Sequence, residues 1–438
     1  MKTSTSPLLT LPVTAPAVGK ASTAHRTLAA ALLAIAALTS QAQTWVNVYD
    51  SGHDGIVGIC GDMGTDSAGN IYIVGRNIAP DGSSMAIVQR SANQGTNWNV
   101  LDQYYEPGLS YAHNRAFAAA PAAAPGVSGH LFAGGNLNNL LANGTYQFDT
   151  LWFIREWNPV TGAWTTIDDS LDLVNDNVGQ ASCADILVAP SGDVYATGGG
   201  SPLGWQIRKR PAGALAFTTV DVDYTGHSVG SGWDMAYHPS YGVFAVGDVN
   251  GIWTVRRSPN GEKGTWTTVD SFYTNRVWTS GSAKAILVTP SKPVIHVVGS
   301  AYNASTRKTH WVVRTSSNGG LTWSITDMAL TGTSVEARGI VEDTTGNLVV
   351  CGQVMGTAGG LHWIVRKGTP GTTWVKQGKN QVPVATMTWT TSDDYQLATG
   401  KSAQPNAITR DIHGSIFVSG SDRDASGIYH WIVRKLAQ

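Results

Sequence analysis

Apolar residues in this chain come in short runs that end on Gly, Ser, Asn or Asp, the pattern of strands punctuated by tight turns. The run Trp311-Val312-Val313-Arg314 is β-branched and aromatic, and related cores stand at Trp152 to Arg155, Trp205 to Arg208, Trp253 to Arg256, Trp363 to Arg366 and Trp431 to Arg434. Ala86 to Gln89 is a weaker copy, and successive copies lie 48 to 68 residues apart. A repeat at that period implies like units, each too small to bury its own apolar face. Ahead of each core lies a run that exits on glycine, as in Asn70 to Gly75, His130 to Gly134 and Asn347 to Gly352. Ahead of that comes a run of small residues, for example Cys183 to Ala189, and behind the core a fourth, such as Thr265 to Asp270. Labelled A, B, C and D, they give four antiparallel strands in each of seven units, which predicts an all-β fold, a seven-bladed β-propeller. The last unit ends on its C strand, while an unmatched D-like run, Thr44 to Asp50, stands ahead of the first. The N-terminal strand is therefore expected to complete blade 7 and close the ring, hiding two sheet edges.

The links after strand C carry a second signal. Ser316-Ser317-Asn318-Gly319-Gly320-Leu321-Thr322-Trp323 resembles the Asp-box (BNR) repeat of the sialidase-like propellers, S-x-D-x-G-x-T-W, with Asn318 in the Asp position. Ser91 to Trp98 matches again, and Ser258 to Trp266, Asn158 to Trp164 and Gly368 to Trp374 are degenerate forms. Asp66-Ser67-Ala68-Gly69 ahead of the first B strand resembles the SBBP class of propeller repeat. The resemblance covers nearly the whole chain after residue 43 and implies architecture: in that family the box is structural. The sialidase catalytic motif Phe/Tyr-Arg-Ile-Pro has no counterpart, since Phe153-Ile154-Arg155-Glu156 is a repeat core. The recurring strand-C arginine reads as a stem stacked on the Trp of a neighbouring copy.

Charge and composition narrow the partners. Residues 28–38 are an apolar run too short to span a bilayer, preceded by Lys2, Lys20 and Arg26 and followed by Ser40-Gln41-Ala42. Residues 1–42 are therefore read as a secretory signal and 43–438 as a single propeller domain, secreted to the extracellular space or periplasm, with no membrane span in the mature chain. Without those three cations, 26 of the 29 Lys and Arg face 30 Asp and Glu, which leaves no electrostatic footprint for nucleic acid. Cys60, Cys183 and Cys351 fall in predicted strands and read as buried free thiols. Asp422-Arg423-Asp424-Ala425-Ser426-Gly427 opens like a calcium loop but places Val433 where the bidentate ligand belongs, so it reads as a turn, and no metal or cofactor is expected. There is no Gly-rich phosphate loop, no HExxH and no GxSxG elbow.

Two sets of residues carry candidate chemistry. The longer links are read at the D–A and B–C end: Val100 to Asn114, Asp168 to Ser182, Lys376 to Asn406, Gly135 to Thr150 and Ser300 to His310. They bring Tyr104, Tyr105, Tyr111, His113, Tyr224, His227, Tyr273, Arg276, Trp278, Trp389 and Tyr395 to that end, where rings can stack on sugars. Aligned A strands place Gly61, Arg115, Ala184, Trp233, Lys284, Arg338 and Asn406 in one register, and Asp62, Asp185 and Asp234 in the next. Arg115, Lys284 and Arg338 suit a carboxylate or sulfate. The three Asp suit acid–base work, or else they pair with the cations. Substrate contacts are assigned to Arg115, Lys284, Arg338, Trp233, Tyr273, Trp278 and Trp389. The leading expectation is a monomeric protein that binds an extracellular polymer, an acidic glycan, through this loop-rich face. The alternative is a glycan-active enzyme at the channel mouth. It would be a glycoside hydrolase using Asp62, Asp185 and Asp234, or a polysaccharide lyase using His113 and Tyr111 beside Arg115. A purely structural surface or envelope protein is the third reading.

Overall fold

Every strand-C core is flanked by the partners its pattern predicts. The computed structural model describes residues 44–106, 109–138, 151–169, 181–200, 204–223, 230–273, 277–289, 291–357, 359–377 and 380–437. The leader, most of the links 135–150 and 168–182, and Tyr224, His227 and Arg276 lie outside the described residues. What is described is nearly all β: antiparallel strands, one 3-10 turn at Ser51–Asp54 and no α-helix. No helix among these residues is long and apolar enough to cross a membrane.

The strands form successive four-strand antiparallel meanders, numbered here in chain order. Meander 1 runs Val57–Thr65, Ile71–Ile78, Ser84–Ser91 and Asn99–Tyr104, and meander 2 runs Tyr111–Ala119, Leu131–Asn138, Leu151–Asn158 and Ala163–Asp169. Meander 3 spans Ser182–Val188 to Thr218–Asp223, meander 4 Gly230–His238 to Thr267–Ser271, meander 5 Trp278–Thr289 to Ser324–Asp327, and meander 6 Val335–Glu342 to Asn380–Tyr395. The last takes Ala403–Arg410, Ile416–Arg423 and Tyr429–Leu436, and its fourth strand is Trp45–Asp50, paired antiparallel to Tyr429–Leu436.

One recurring contact explains both the Trp cores and the glycine exits. Trp152, Trp205, Trp253, Trp311, Trp363 and Trp431 are all fully buried. A β-carbon on Gly198, Gly299, Gly352 or Gly420 would lie 2.6–2.8 Å from the Trp of the preceding meander, and one on Gly75 would lie 3.0 Å from Trp431. Strand B of one meander thus lies flat on the indole of its neighbour, and only glycine permits that approach. Emptying one such Trp site costs roughly 3–5 kcal/mol.

The arginine that follows each Trp core corrects the sequence expectation. Its guanidinium forms a bidentate ion pair with an Asp on strand D of the preceding meander, with aromatic rings beside it in several copies. The pairs are Arg155–Asp102, Arg208–Asp168, Arg256–Asp221, Arg314–Asp270, Arg366–Asp327 and Arg434–Asp393, at 2.6–2.8 Å for the closest contact of each. The flat two-pronged donor matches a carboxylate better than a ring face does. In meander 1 the position is Gln89, which donates to the Tyr49 hydroxyl of the N-terminal strand at 3.0 Å.

A second correction concerns meander 6. Most of the stretch expected as a long D–A link, Lys376 to Asn406, forms one long hairpin with the degenerate turn at Gly368 to Trp374, Leu361–Gln377 with Asn380–Tyr395. Its alternating Thr and Val satisfy a ladder, so length alone misled the reading. Similarly, Ser300 to His310 is mostly ladder, with strands running to Asn303 and from Lys308. The turns at Ser91 and Ser316 close as their residue types dictate: the Ser316 hydroxyl accepts from Gly320 N and Asn318 Oδ1 from Thr322 N, both at 2.9 Å. The indole N–H of Trp323 donates to Val269 O, and that of Trp98 to Val48 O, tying each turn to the meander before it. All three cysteines are buried free thiols.

Candidate functional site

Each strand A carries a β-bulge at the same place. The register shifts between Cys60 and Asp62, Asn114 and Ala116, Cys183 and Asp185, Gly232 and Asp234, Ala283 and Ala285, Ala337 and Gly339, and Pro405 and Ala407. The skipped residues are Gly61, Arg115, Ala184, Trp233, Lys284, Arg338 and Asn406, the register that the sequence alignment singles out. A bulge leaves its extra residue unpaired and re-aims it. All of them line one cavity of about 580 Å³, together with Asp62, Asp185, Asp234, Tyr111 and His113. Lining residues near the start of strands A and C, such as Tyr111 and Tyr429, place it toward the D–A and B–C end.

The carboxylates and cations do not pair as a closed set. Asp62 Oδ2 accepts from Phe117 N at 2.9 Å, Asp185 Oδ2 from Met235 N at 2.8 Å, and Asp234 Oδ2 from Ile286 N at 2.8 Å, each across to the next meander. Burial and mutual repulsion push the Asp62 carboxyl up to about 8 and burial pushes Asp185 up to about 6. Asp234 rises well above the carboxylate range, through burial first and the Asp185 charge second. The expected pairing of these three with Arg115, Lys284 and Arg338 is therefore not what forms; backbone N–H groups of the next meander's strand A take the carboxylates instead.

The cations are served by other groups. Arg115 Nε donates to Asn136 at 2.8 Å, and the residue is exposed. Arg338 Nε donates to Glu336 at 2.8 Å and Nη1 to Asn406 at 2.9 Å. Lys284 Nζ lies 3.6 Å from the centre of the Trp233 ring and 3.6 Å from Glu336. Burial lowers its pKa, with Arg338 adding to the fall. Trp233 is held by its indole N–H on Asp248 at 3.0 Å. His113 is buried, its Nδ1 lies 3.3 Å from the Tyr111 hydroxyl, and its Nε2 has no hydrogen-bond partner. Burial, then the Arg115 and Arg76 charges, hold its pKa well below the usual value, so the ring is neutral.

Three predicted contacts fall elsewhere. Trp278 packs on Phe272 and His310, Trp389 donates to Thr326 O beside Arg366, and Tyr273 is exposed; none lines the cavity. Sequence reasoning missed Glu336, Arg76 and Tyr429, which do. Glu336 lies two residues ahead of the bulge in strand A, and Arg76 directly follows the strand-B glycine. Aligning those two registers as well would have found both. Among the described residues no group of three His, Cys, Asp or Glu is arranged to hold a metal ion.

No protein-family model and no curated protein matches the chain. Among solved structures, the α-L-arabinofuranosidase of Fusarium graminearum in complex with arabinobiose is similar over 87% of this chain and 93% of its own, at 10% identity and a TM-score of 0.45. The leech intramolecular trans-sialidase is similar over 91% of this chain and 71% of its own, at 10% identity and a TM-score of 0.44. For the periplasmic gluconolactonase of Pseudomonas aeruginosa the figures are 76%, 87%, 10% and 0.43. Likeness at that level bears on neither activity nor substrate.

Proposed function

We propose that the chain is a secreted seven-bladed β-propeller with Asp-box-type turns, closed by its N-terminal strand, that binds an acidic glycan at the mouth of its central channel. The observation that carries this is the ring of bulge residues: Arg115, Lys284 and Arg338 reach one cavity whose aspartates are turned to backbone N–H groups. Arg338 and Lys284 both lie against Glu336 and Arg115 donates to the neutral Asn136, so a ligand carboxylate adds negative charge where these three cations meet one carboxylate. The sugar carboxylate would sit between Arg338 and Arg115, since guanidinium groups give the two-pronged match. Isothermal titration of the full chain against polygalacturonate, alginate and a neutral glucan tests it. Binding is expected for at least one uronate polymer, weakening as salt rises; equal binding of the neutral glucan contradicts it.

A catalytic reading draws on a different observation, the neutral, unpartnered Nε2 of His113 two residues from Arg115. In that reading Arg115 neutralises the uronate carboxylate, His113 removes the proton beside it, and the bond to the leaving oxygen breaks as a carbon–carbon double bond forms. Growth of the ultraviolet absorbance of an unsaturated uronate during incubation, abolished by His113→Ala, supports an enzyme. No absorbance change with a polymer that binds leaves the protein a binder.

A further inference from the structure

A second cavity, about 340 Å³, opens at the opposite end of the strands, between meanders 1 and 2. Its origin is a departure from the repeat. In meanders 1, 4 and 5 the turn after strand C covers the preceding meander: a side-chain atom built on Gly95, Gly261 or Gly320 would meet Phe417, Tyr195 or Phe244 on that meander's strand B. Tyr72 stands at the same place in meander 1, three residues before the strand-B glycine. The turn that should cover it, Asn158 to Trp164, has seven residues, against eight in Ser91 to Trp98 and Ser316 to Trp323. Its Gly162 approaches only Trp157 of its own meander.

The same shortening leaves a cation without its usual acceptor. The residue after the strand-C arginine reaches the next meander's turn in three cases: Lys209 to the Glu262 carboxylate at 2.6 Å, Lys435 to the Gln94 amide oxygen at 2.8 Å, and Arg257 to Gly319 O at 3.4 Å. In meander 1 that residue is Arg90. It lies beside the Tyr72 hydroxyl, lines the cavity, and its buried Nε has no partner. Tyr72 itself donates to Asp66 at 2.8 Å, and Asp66 is already saturated by Ala68 N, Asn70 N and the Asn70 amide. Opposite stand Trp157 and Trp164, ring centres 6.2 Å apart and tilted by 46°, which make an apolar notch. The buried indole N–H of Trp164 is also unpartnered.

We infer that this cavity is a second ligand site, for a six-membered ring bearing a carboxylate. The ring takes the space the turn fills elsewhere, against the two indoles, and the carboxylate replaces the turn's oxygen acceptor at Arg90. The volume suits a single small ring, at the lower end of the usual range for ligand sites. A sugar acid and an aromatic acid share this chemistry, so glucuronate and benzoate are the probes, with glucose and benzyl alcohol as their uncharged counterparts. In titrations of the full chain, one acid is expected to bind at least tenfold more tightly than its counterpart. Whichever does so identifies the source. Arg90→Gln should weaken that binding at least tenfold. Ala68→Trp, which changes an exposed lining residue and fills the mouth, should abolish it with the melting temperature unchanged. Arg338→Ala should leave it intact, which separates this site from the channel. The inference is overturned if neither acid outbinds its counterpart, if both cavity variants bind as wild type does, or if Arg338→Ala alone removes the binding.

Discussion

The outer arginines and the channel cations obey opposite rules. In meanders 2 to 7 each strand-C arginine meets one aspartate of the preceding meander with two hydrogen bonds. Around the larger cavity the aspartates turn to backbone N–H, while Arg115, Lys284 and Arg338 take Asn136, Glu336 and the Trp233 face. The outer pair recurs in almost the same form from unit to unit. The bulge register changes each time: Gly61, Arg115, Ala184, Trp233, Lys284, Arg338, Asn406. Within a repeat, what stays constant is what neighbours need in order to pack, and what varies is available to a ligand.

The largest expected effect comes from removing the scaffold's odd member. Deleting residues 44–50 strips Tyr429–Leu436 of its partner and removes Trp45 from the core, leaving a raw edge. Aggregation, or a large fall in melting temperature, is expected by scattering and calorimetry; a deletion variant that melts like the intact chain contradicts closure. Next comes Arg314→Ala, which leaves Asp270 buried without its cation and should cost about 3–5 kcal/mol in a denaturant melt. The joint change Arg314→Met with Asp270→Leu should recover most of that loss. An outer belt that tolerates the single change would not be structural.

Asp62 sharpens the contrast through pH. Its folded carboxyl holds a proton up to about 8 against an ordinary 3.8, so the folded state binds the extra proton throughout that window. Its stabilising contribution is full below the lower value and is lost as pH rises through the upper one. Melting temperatures at pH 5 and pH 8 should therefore differ less in Asp62→Asn than in wild type. The smallest effect belongs to Asn318→Ala, which removes exposed turn hydrogen bonds and should cost about 1 kcal/mol of stability with glycan binding unchanged.

Much of this was legible in the chain. Glycine exits, Trp cores and the orphan strand from Thr44 to Asp50 encode contacts between neighbouring units, and these recur, so comparing copies exposes them. The bulge register was visible for the same reason. The arginine's true partner was not: Asp270 lies 44 residues from Arg314, in another unit's strand, and only the meander order brings them together. The hairpin from Leu361 to Tyr395 was hidden because its outer half is exposed and carries Thr and Pro, the composition of a link. Trp389 and Trp278 show the limit of reading aromatics in loops, since both rings are taken up by packing against their own neighbours.

The claim at the centre of this account is that the varied inner ring, and not the repeated outer belt, meets the ligand. Titrating a uronate polymer into wild type, Arg338→Ala and Asn318→Ala tests it directly. Loss of one hydrogen-bonded charge should weaken binding to Arg338→Ala by roughly 1.5–3 kcal/mol, about tenfold or more, while Asn318→Ala binds as wild type does. If Asn318→Ala abolishes binding and Arg338→Ala retains it, the ligand sits on the turn end and the account is wrong.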